Sequence, residues 1–226
     1  MSATREAAAR GRFICLEGPD GCGKTSQAAR LADALGAAGI PVRLVREPGG
    51  TATGERIRAI LLDRSAGSIA HDGRTDALLF YAARTQLVAE VIRPALARGE
   101  TVVAARFADS TLAYQGYGSG LPLDELRPVE HFAIGDTRPD LTIVLDIAPE
   151  AGLGRKSAAE TTRFEADFDL AFHVRVRAGY GELAAAHPAR YAVVDAGRPE
   201  DEVFRAILAT VAARLPELGA RLTPDA

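Results

Sequence analysis

"LEGPDGCGKTS", residues 16–26, overlaps the apolar run "RFICLE" at 12–17 and leads into a helical stripe at Ala28, Leu31, Ala32 and Leu35. Gly18, four residues, Gly23, Lys24 and Thr25 match the G-x-x-x-x-G-K-[ST] spacing, in the strand-then-helix setting that this motif requires. Glycines let successive backbone N–H groups turn toward one anion, and the helix N-terminus adds positive potential. Lys24 can reach the terminal phosphates of a nucleoside triphosphate and Thr25 can ligate Mg²⁺, with Asp20, Gly21, Cys22 and Ser26 completing the binding stretch. The stretch predicts a phosphate-binding loop but does not say where the phosphate goes.

Working outward, further apolar runs lie at "PVRLV" (41–45), "TVVAA" (101–105), "LTIVLD" (141–146) and "YAVVD" (191–195). Each is rich in β-branched residues and mostly uninterrupted by charge, as buried parallel strands are. Helical patterns separate them, the longest being "TDALLFYAARTQLVAEVI" (75–92), which Pro94 is expected to end. The expected fold is α/β, with a five-stranded parallel sheet flanked by helices. "GRKSAAETTRFE" (154–165) is polar and poor in apolar anchors, which suits a small lid or an ordinary surface loop. The chain divides into a flexible N-terminus at 1–11, a single domain at 12–215 and a C-terminal tail at 216–226.

The 226 residues are 47% hydrophobic and 25% charged with a formal net charge of −3, which gives no electrostatic footprint for nucleic acid or a membrane surface. No apolar run reaches the ~18 residues of a membrane span, and the N-terminus lacks the apolar segment of a signal peptide. Cys15 and Cys22 read as thiols suited to a reducing cytoplasm rather than as a disulfide framework. His71, His131, His173 and His187 are scattered without metal-ligand spacing.

A switch GTPase needs a guanine-reading N-K-x-D segment, and none is present. The chain instead carries arginines away from the loop: Arg58 in "GERIRAIL", Arg84 in "FYAARTQ" and Arg106 after the third strand. Single arginines are usually solvated surface cations. Arg106 stands apart because ligands bind at the carboxyl ends of strands in open α/β sheets.

Together with "VREPGGTATGERIR", "LLFYAARTQ", "ARFADSTLAYQG", "RPDLTIVLD" and "RFEADFDLAFHVRVRAGYGELA", the phosphate loop resembles the thymidylate kinases of the bacterial type. The resemblance spans most of residues 12–195 and implies a P-loop nucleoside monophosphate kinase fold. It implies that ATP and Mg²⁺ are used to phosphorylate dTMP, and that the chain forms a homodimer packed through helices such as 75–92. In the implied acceptor pocket Phe80 stacks on thymine and Arg84 bonds its carbonyl oxygen. Ser110, Thr111 and Gln115 line base and sugar, and Tyr114 excludes a ribose 2′-hydroxyl. Asp20 accepts from the sugar 3′-hydroxyl, Glu47 and Pro48 shape the wall, and Arg58 and Arg106 hold the acceptor phosphate. Because the loop has Gly21 and Cys22 where some relatives carry an arginine, the resemblance moves the catalytic cation to the lid. The lid offers Arg155, Lys156 and Arg163, of which Arg155 and Arg163 join Lys24 of the phosphate loop and Arg106 after the third strand as candidate catalytic cations.

Two departures stand out. Ala105 replaces an acid at the end of the third strand, and Thr162 replaces one in the lid. Glu17 and Glu165 are the nearest candidates to compensate. Cys22, near a helix N-terminus, is a candidate for thiol modification or simply a tolerated small residue. Asp146 suits either the family pattern or a cap for the helix beginning at "PEAGL", and "DAGRPEDEV" (195–203), with Arg198, suits the adenine side. Two alternatives remain open: a kinase for another pyrimidine deoxynucleotide, and a catalytically weakened nucleotide-binding paralogue.

Overall fold

The computed structural model describes residues 10–63, 71–155 and 168–222. Among them, β1 (Phe13–Glu17), β2 (Val42–Arg46), β3 (Thr101–Ala105), β4 (Leu141–Asp146) and β5 (Tyr191–Asp195) form one sheet in the order β2-β3-β1-β4-β5. All pairings are parallel, with Phe13 opposite Val102 and Ile14 opposite Leu141 on the two sides of β1. The strands lie within one residue of their expected positions, but only β1, β3 and β4 are buried as expected: β2 and β5, at the sheet edges, leave Leu44 and Val193 exposed because each has a neighbouring strand on one side only.

Alternation along β1 splits the core. Phe13 and Cys15 face a layer containing α3 (Gly73–Leu87), α6 (Leu123–Ile134) and α8 (Leu170–Ala186). Ile14 and Leu16 face α1 (Lys24–Ala37), α9 (Glu200–Arg214) and α10 (Pro216–Leu222). Successive strand side chains point to opposite faces, so one strand serves both layers. The remaining helices are α2 (Ala52–Leu62), α4 (Arg93–Ala97), α5 (Ala108–Thr111) and α7 (Pro149–Gly154).

Three expectations need correction. Pro94 does not end the long helix, which passes through a π-helical turn, Val88–Ile92, into α4. The wider turn shifts the hydrogen-bond ladder, so Pro94 sits in the first turn of α4, where its missing N–H is tolerated. The expected tail is helical over Pro216–Leu222, with Leu218 buried against the α9 layer. At the other end, Gly11 is buried and its N–H donates to the Leu96 carbonyl at 2.9 Å. Residues 1–9 and all of the expected lid except Gly154 and Arg155 lie outside the described residues.

The π-helical segment Leu112–Gly118 packs closely on α8. A Cβ added at Gly179 would fall 2.5 Å from the Tyr117 ring. Gly179→Ala should therefore destabilise the protein by about 1–3 kcal/mol and lower Tm by several degrees, read by urea and thermal unfolding. An unchanged midpoint would show that this contact is loosely packed.

Candidate active site

The carboxyl ends of β2, β3 and β5 open on one cavity of about 1050 Å³, floored by the phosphate loop that follows β1. Gly21 has a φ of 74°, and a Cβ there would lie 1.8 Å from the Gly152 carbonyl oxygen, so only glycine lets the loop pass α7. Lys24 is 7% exposed and its ammonium donates to the Gly18 and Pro19 carbonyls at 2.8 and 2.7 Å. Burial pushes its pKa down, and the nearby Arg106 adds to that. Thr25 and Ser26 are exposed on the first turn of α1. Cys22 is 2% exposed and packs into the apolar layer beneath the loop, with its Sγ 3.4 Å from Lys24 Nζ. That burial removes the accessible thiol that modification requires.

Beside the loop, Arg106 sits just beyond β3 at a φ of 72°, a conformation uncommon for a side-chain-bearing residue. Its Nη2 pairs with Asp20 and donates to the Tyr114 hydroxyl at 3.1 Å, and the guanidinium lies 4.8 Å from that ring's centre. Burial works against its charge, but Tyr114 and Asp20 outweigh it and keep Arg106 protonated. Glu17 secures the turn that sets this conformation. Its buried carboxylate accepts from Phe107 N, Ser110 Oγ and Tyr180 OH at 2.7, 2.7 and 2.8 Å. Burial pushes its pKa up, helped by the charge of Asp109. With those donors inside the fold, Glu17 is a brace and does not replace the acid missing at Ala105, which itself lines the cavity.

At the end of β2, a cis bond joins Glu47 to Pro48. The Pro48 carbonyl accepts from Arg58 Nη1 at 2.9 Å and Arg46 Nη1 at 3.2 Å. Behind the wall, Arg84 has a fully buried side chain and donates to Glu47 Oε2 at 2.7 Å, Thr111 Oγ1 at 3.0 Å and the Phe107 carbonyl at 2.9 Å. Phe80, Ser110, Thr111, Tyr114 and Gln115 line the cavity in front of it. The side-chain oxygens Glu47 Oε1 and Gln115 Oε1 are buried and have no hydrogen-bond partner among the described residues.

The opposite wall is the β5–α9 loop. Arg155 donates to the Ala196 carbonyl at 2.9 Å, Arg198 pairs with Asp195 at 3.3 Å, and both arginines line the cavity.

A profile of the family described as "Thymidylate kinase" matches residues 16–207. The thymidylate kinase of Deinococcus radiodurans is 49% identical over 206 residues, covering 91% of this chain and 98% of the relative. That of Pseudomonas savastanoi pv. phaseolicola is 49% identical over 92% of this chain and 98% of its own. The crystal structure of the Ehrlichia chaffeensis thymidylate kinase superposes with a TM-score of 0.73 at 31% identity, covering 89% of this chain and 99% of that one. This chain belongs to the thymidylate kinase family.

Set against the thymidylate kinase pattern, the structure brings Asp20, Glu47, Pro48, Arg58, Phe80, Arg106, Ser110, Thr111, Tyr114 and Gln115 onto the cavity. Arg84 lies behind the wall, where it holds Glu47 and Thr111. Arg155 grips the β5–α9 loop rather than reaching toward the phosphate loop, and Lys156, Thr162, Arg163 and Glu165 lie outside the described residues. Asp146 does not cap α7, because Arg177 binds both its oxygens at 2.7 Å. Two neighbours were missed. Arg46 lines the cavity, and the strand-end argument that singled out Arg106 applies equally to it. His173 is 2% exposed with Nδ1 3.9 Å from Asp20 Oδ2, a meeting that no local pattern signals.

Burial pushes the Glu47 carboxyl up from 4.5 to about 7, against the pull of Arg84. The folded chain thus keeps a proton that the unfolded chain has lost, so stability falls as pH rises from 4.5 to about 7. Across that window, urea unfolding should show the wild type losing roughly 3 kcal/mol more than Glu47→Gln, which cannot titrate. Parallel pH curves for the two proteins would refute this reading.

Proposed function

We infer that this protein is a dTMP kinase that transfers the terminal phosphoryl group of ATP to dTMP, giving dTDP and ADP for dTTP synthesis. The observation that carries the reading, beyond family membership, is one cavity that joins the phosphate loop to a pocket rimmed by Arg46, Arg58 and Arg106. Two polyanions need to meet there, and a phosphate loop beside separate arginines supplies cations for both.

In this reading the acceptor phosphate is its own nucleophile. It is already anionic near neutral pH, so no strong general base is required. One of its oxygens attacks the terminal phosphorus in line as the bond to the bridging oxygen of ADP breaks. Lys24 exchanges the Gly18 and Pro19 carbonyls for ATP phosphates, while Arg58 and Arg106 hold the acceptor. Phe80 offers the base an apolar face, with Thr111 and Gln115 at its edge. For Mg²⁺, the exposed Thr25 hydroxyl together with phosphate oxygens makes a suitable donor set, since this ion keeps several waters and seldom needs an all-protein cage. When bound, Mg²⁺ offsets the charge on the transferring group. No group of three His, Cys, Asp or Glu side chains among the described residues offers another such place.

Coupled ADP release with ATP, Mg²⁺ and each of dTMP, dUMP, dCMP, dGMP or no acceptor tests the assignment. Turnover should require dTMP, be weak with dUMP and be small with the others; tight dTMP binding without turnover would overturn it. Arg58→Ala should raise KM for dTMP about tenfold or more, reflecting a lost charge-assisted phosphate contact. An unchanged KM would remove Arg58 from the acceptor site.

The reading includes a homodimer formed through α3. Leu78 on α3 and Phe132 on α6 are 58% and 89% exposed, apolar area that a second copy would cover. Leu78→Glu should shift the sedimentation coefficient from dimer to monomer, and a wild type that sediments as a monomer would reject this part. No helix among the described residues is long and apolar enough to cross a membrane.

A further inference from the structure

Tyr180, on α8, is 1% exposed and lies in the apolar layer that also holds Phe172, Val176 and Leu183. A phenylalanine would fill that space with no polar atom to bury, and a buried hydroxyl is unfavourable unless it is partnered. Here it has two partners. The Tyr180 hydroxyl donates to Glu17 Oε2 at 2.8 Å and stands 3.0 Å from Ser110 Oγ, which itself donates to Glu17 Oε2 at 2.7 Å. Three oxygens from β1, α5 and α8 thus form a closed triangle. Burial and the neighbouring charge of Glu17 push the Tyr180 pKa up, so the hydroxyl keeps the proton that it donates.

The triangle lies one step behind the acceptor pocket. Ser110 lines the cavity, and its Oγ accepts from Arg106 Nη1 at 3.4 Å. Glu17 Oε1 accepts from Phe107 N and Ser110 N at 2.7 and 3.2 Å, which fixes the turn that carries Arg106. Tyr180 itself is not part of the cavity wall. We propose that Tyr180 is a positioning residue for the acceptor phosphate: its hydroxyl, brought from α8, holds Ser110 and Glu17 in register and so sets Arg106 over the pocket. The inference rests on this cavity being the acceptor site of a dTMP kinase. Without the hydroxyl, Glu17 Oε2 and Ser110 Oγ lose a shared partner, whereas the phosphate loop keeps its own backbone N–H groups and Lys24. The loss should therefore fall on dTMP and spare ATP.

The test measures KM for dTMP at saturating ATP and KM for ATP at saturating dTMP, in the full-length wild type and in Tyr180→Phe. The variant keeps the ring and its edge-to-face contact with Tyr114, at 6.4 Å between centroids, so only the hydroxyl is removed. KM for dTMP should rise about three- to tenfold, the range of one buried hydrogen bond to a charged partner, while KM for ATP stays within about twofold. In a Ser110→Ala background, where the triangle is already open, Tyr180→Phe should add about twofold or less. Leu183→Ala, buried on the same helix without a polar atom, should lower Tm and leave both KM values within about twofold. Calorimetric titration of dTMP without ATP should show the same rise in Kd, and serves for a variant too weak to turn over.

An unchanged KM and Kd for dTMP in Tyr180→Phe would overturn the proposal. So would an equal rise in KM for ATP, or the same rise for dTMP in Leu183→Ala, since either is the signature of a residue that only stabilises the fold. A full effect in the Ser110→Ala background would also overturn it, because the hydroxyl would then act by another route. Absence of dTMP-dependent turnover in the wild type would instead overturn the kinase reading beneath it.

Discussion

A carboxylate without solvent exposure, Glu17 at the end of the central strand, anchors the catalytic face of this protein. Its oxygens collect the Phe107 and Ser110 N–H groups, the Ser110 hydroxyl and the Tyr180 hydroxyl. A buried carboxylate is tolerated only when donors surround it, and here those donors come from the turn after β3 and from α8. The turn is thereby forced into the backbone conformation that swings Arg106 over Asp20 of the phosphate loop. One interior group thus registers three segments: the strand that feeds the loop, the turn that carries the acceptor cation, and the helix that closes the core beneath both.

The same logic recurs one strand away. Arg84 is the largest fully buried side chain among the described residues, and its donors reach Glu47 beyond β2, Thr111 on α5 and the Phe107 carbonyl. Burying an ion pair gains little net stability, but removing one partner leaves a charge stranded, so the pair defines a geometry more than it adds strength. It aligns the pocket wall with the turn that Glu17 holds. Although the chain is slightly acidic overall, cationic side chains gather where the strands end, so the site's field differs in sign from the molecule's net charge.

Much of this was readable along the chain, for identifiable reasons. Buried parallel strands leave unbroken β-branched runs, as β1, β3 and β4 do, and the edge strands β2 and β5 also fall close to their expected bounds although they are largely exposed. The phosphate loop is a contiguous device whose glycines, lysine and threonine act within a few residues of each other. Errors came where a local rule met a tertiary partner. Pro94 reads as a helix stop, but a π-turn absorbs it. Of the two readings of Asp146, the cap fails, because Arg177 from α8 claims both its oxygens. Arg155 reads as a free lid cation, but it meets the Ala196 carbonyl 41 residues away.

By itself, the order of residues determined the sheet, its flanking helices, the phosphate loop and the family, because each is written in short-range periodicity or in a compact motif. Only the tertiary structure decided which polar side chains face the cavity and which are spent inside the wall. Glu17, Arg84 and Gln27 look alike on paper as polar residues near functional stretches. What separates them is the set of partners that folding brings from distant segments: Glu17 becomes an interior anchor, Arg84 a brace for Glu47, and Gln27 a tie from α1 to the Glu200 carbonyl at the start of α9. Hydrogen bonds across the fold are set by packing geometry, and no local pattern encodes the residues on their far side.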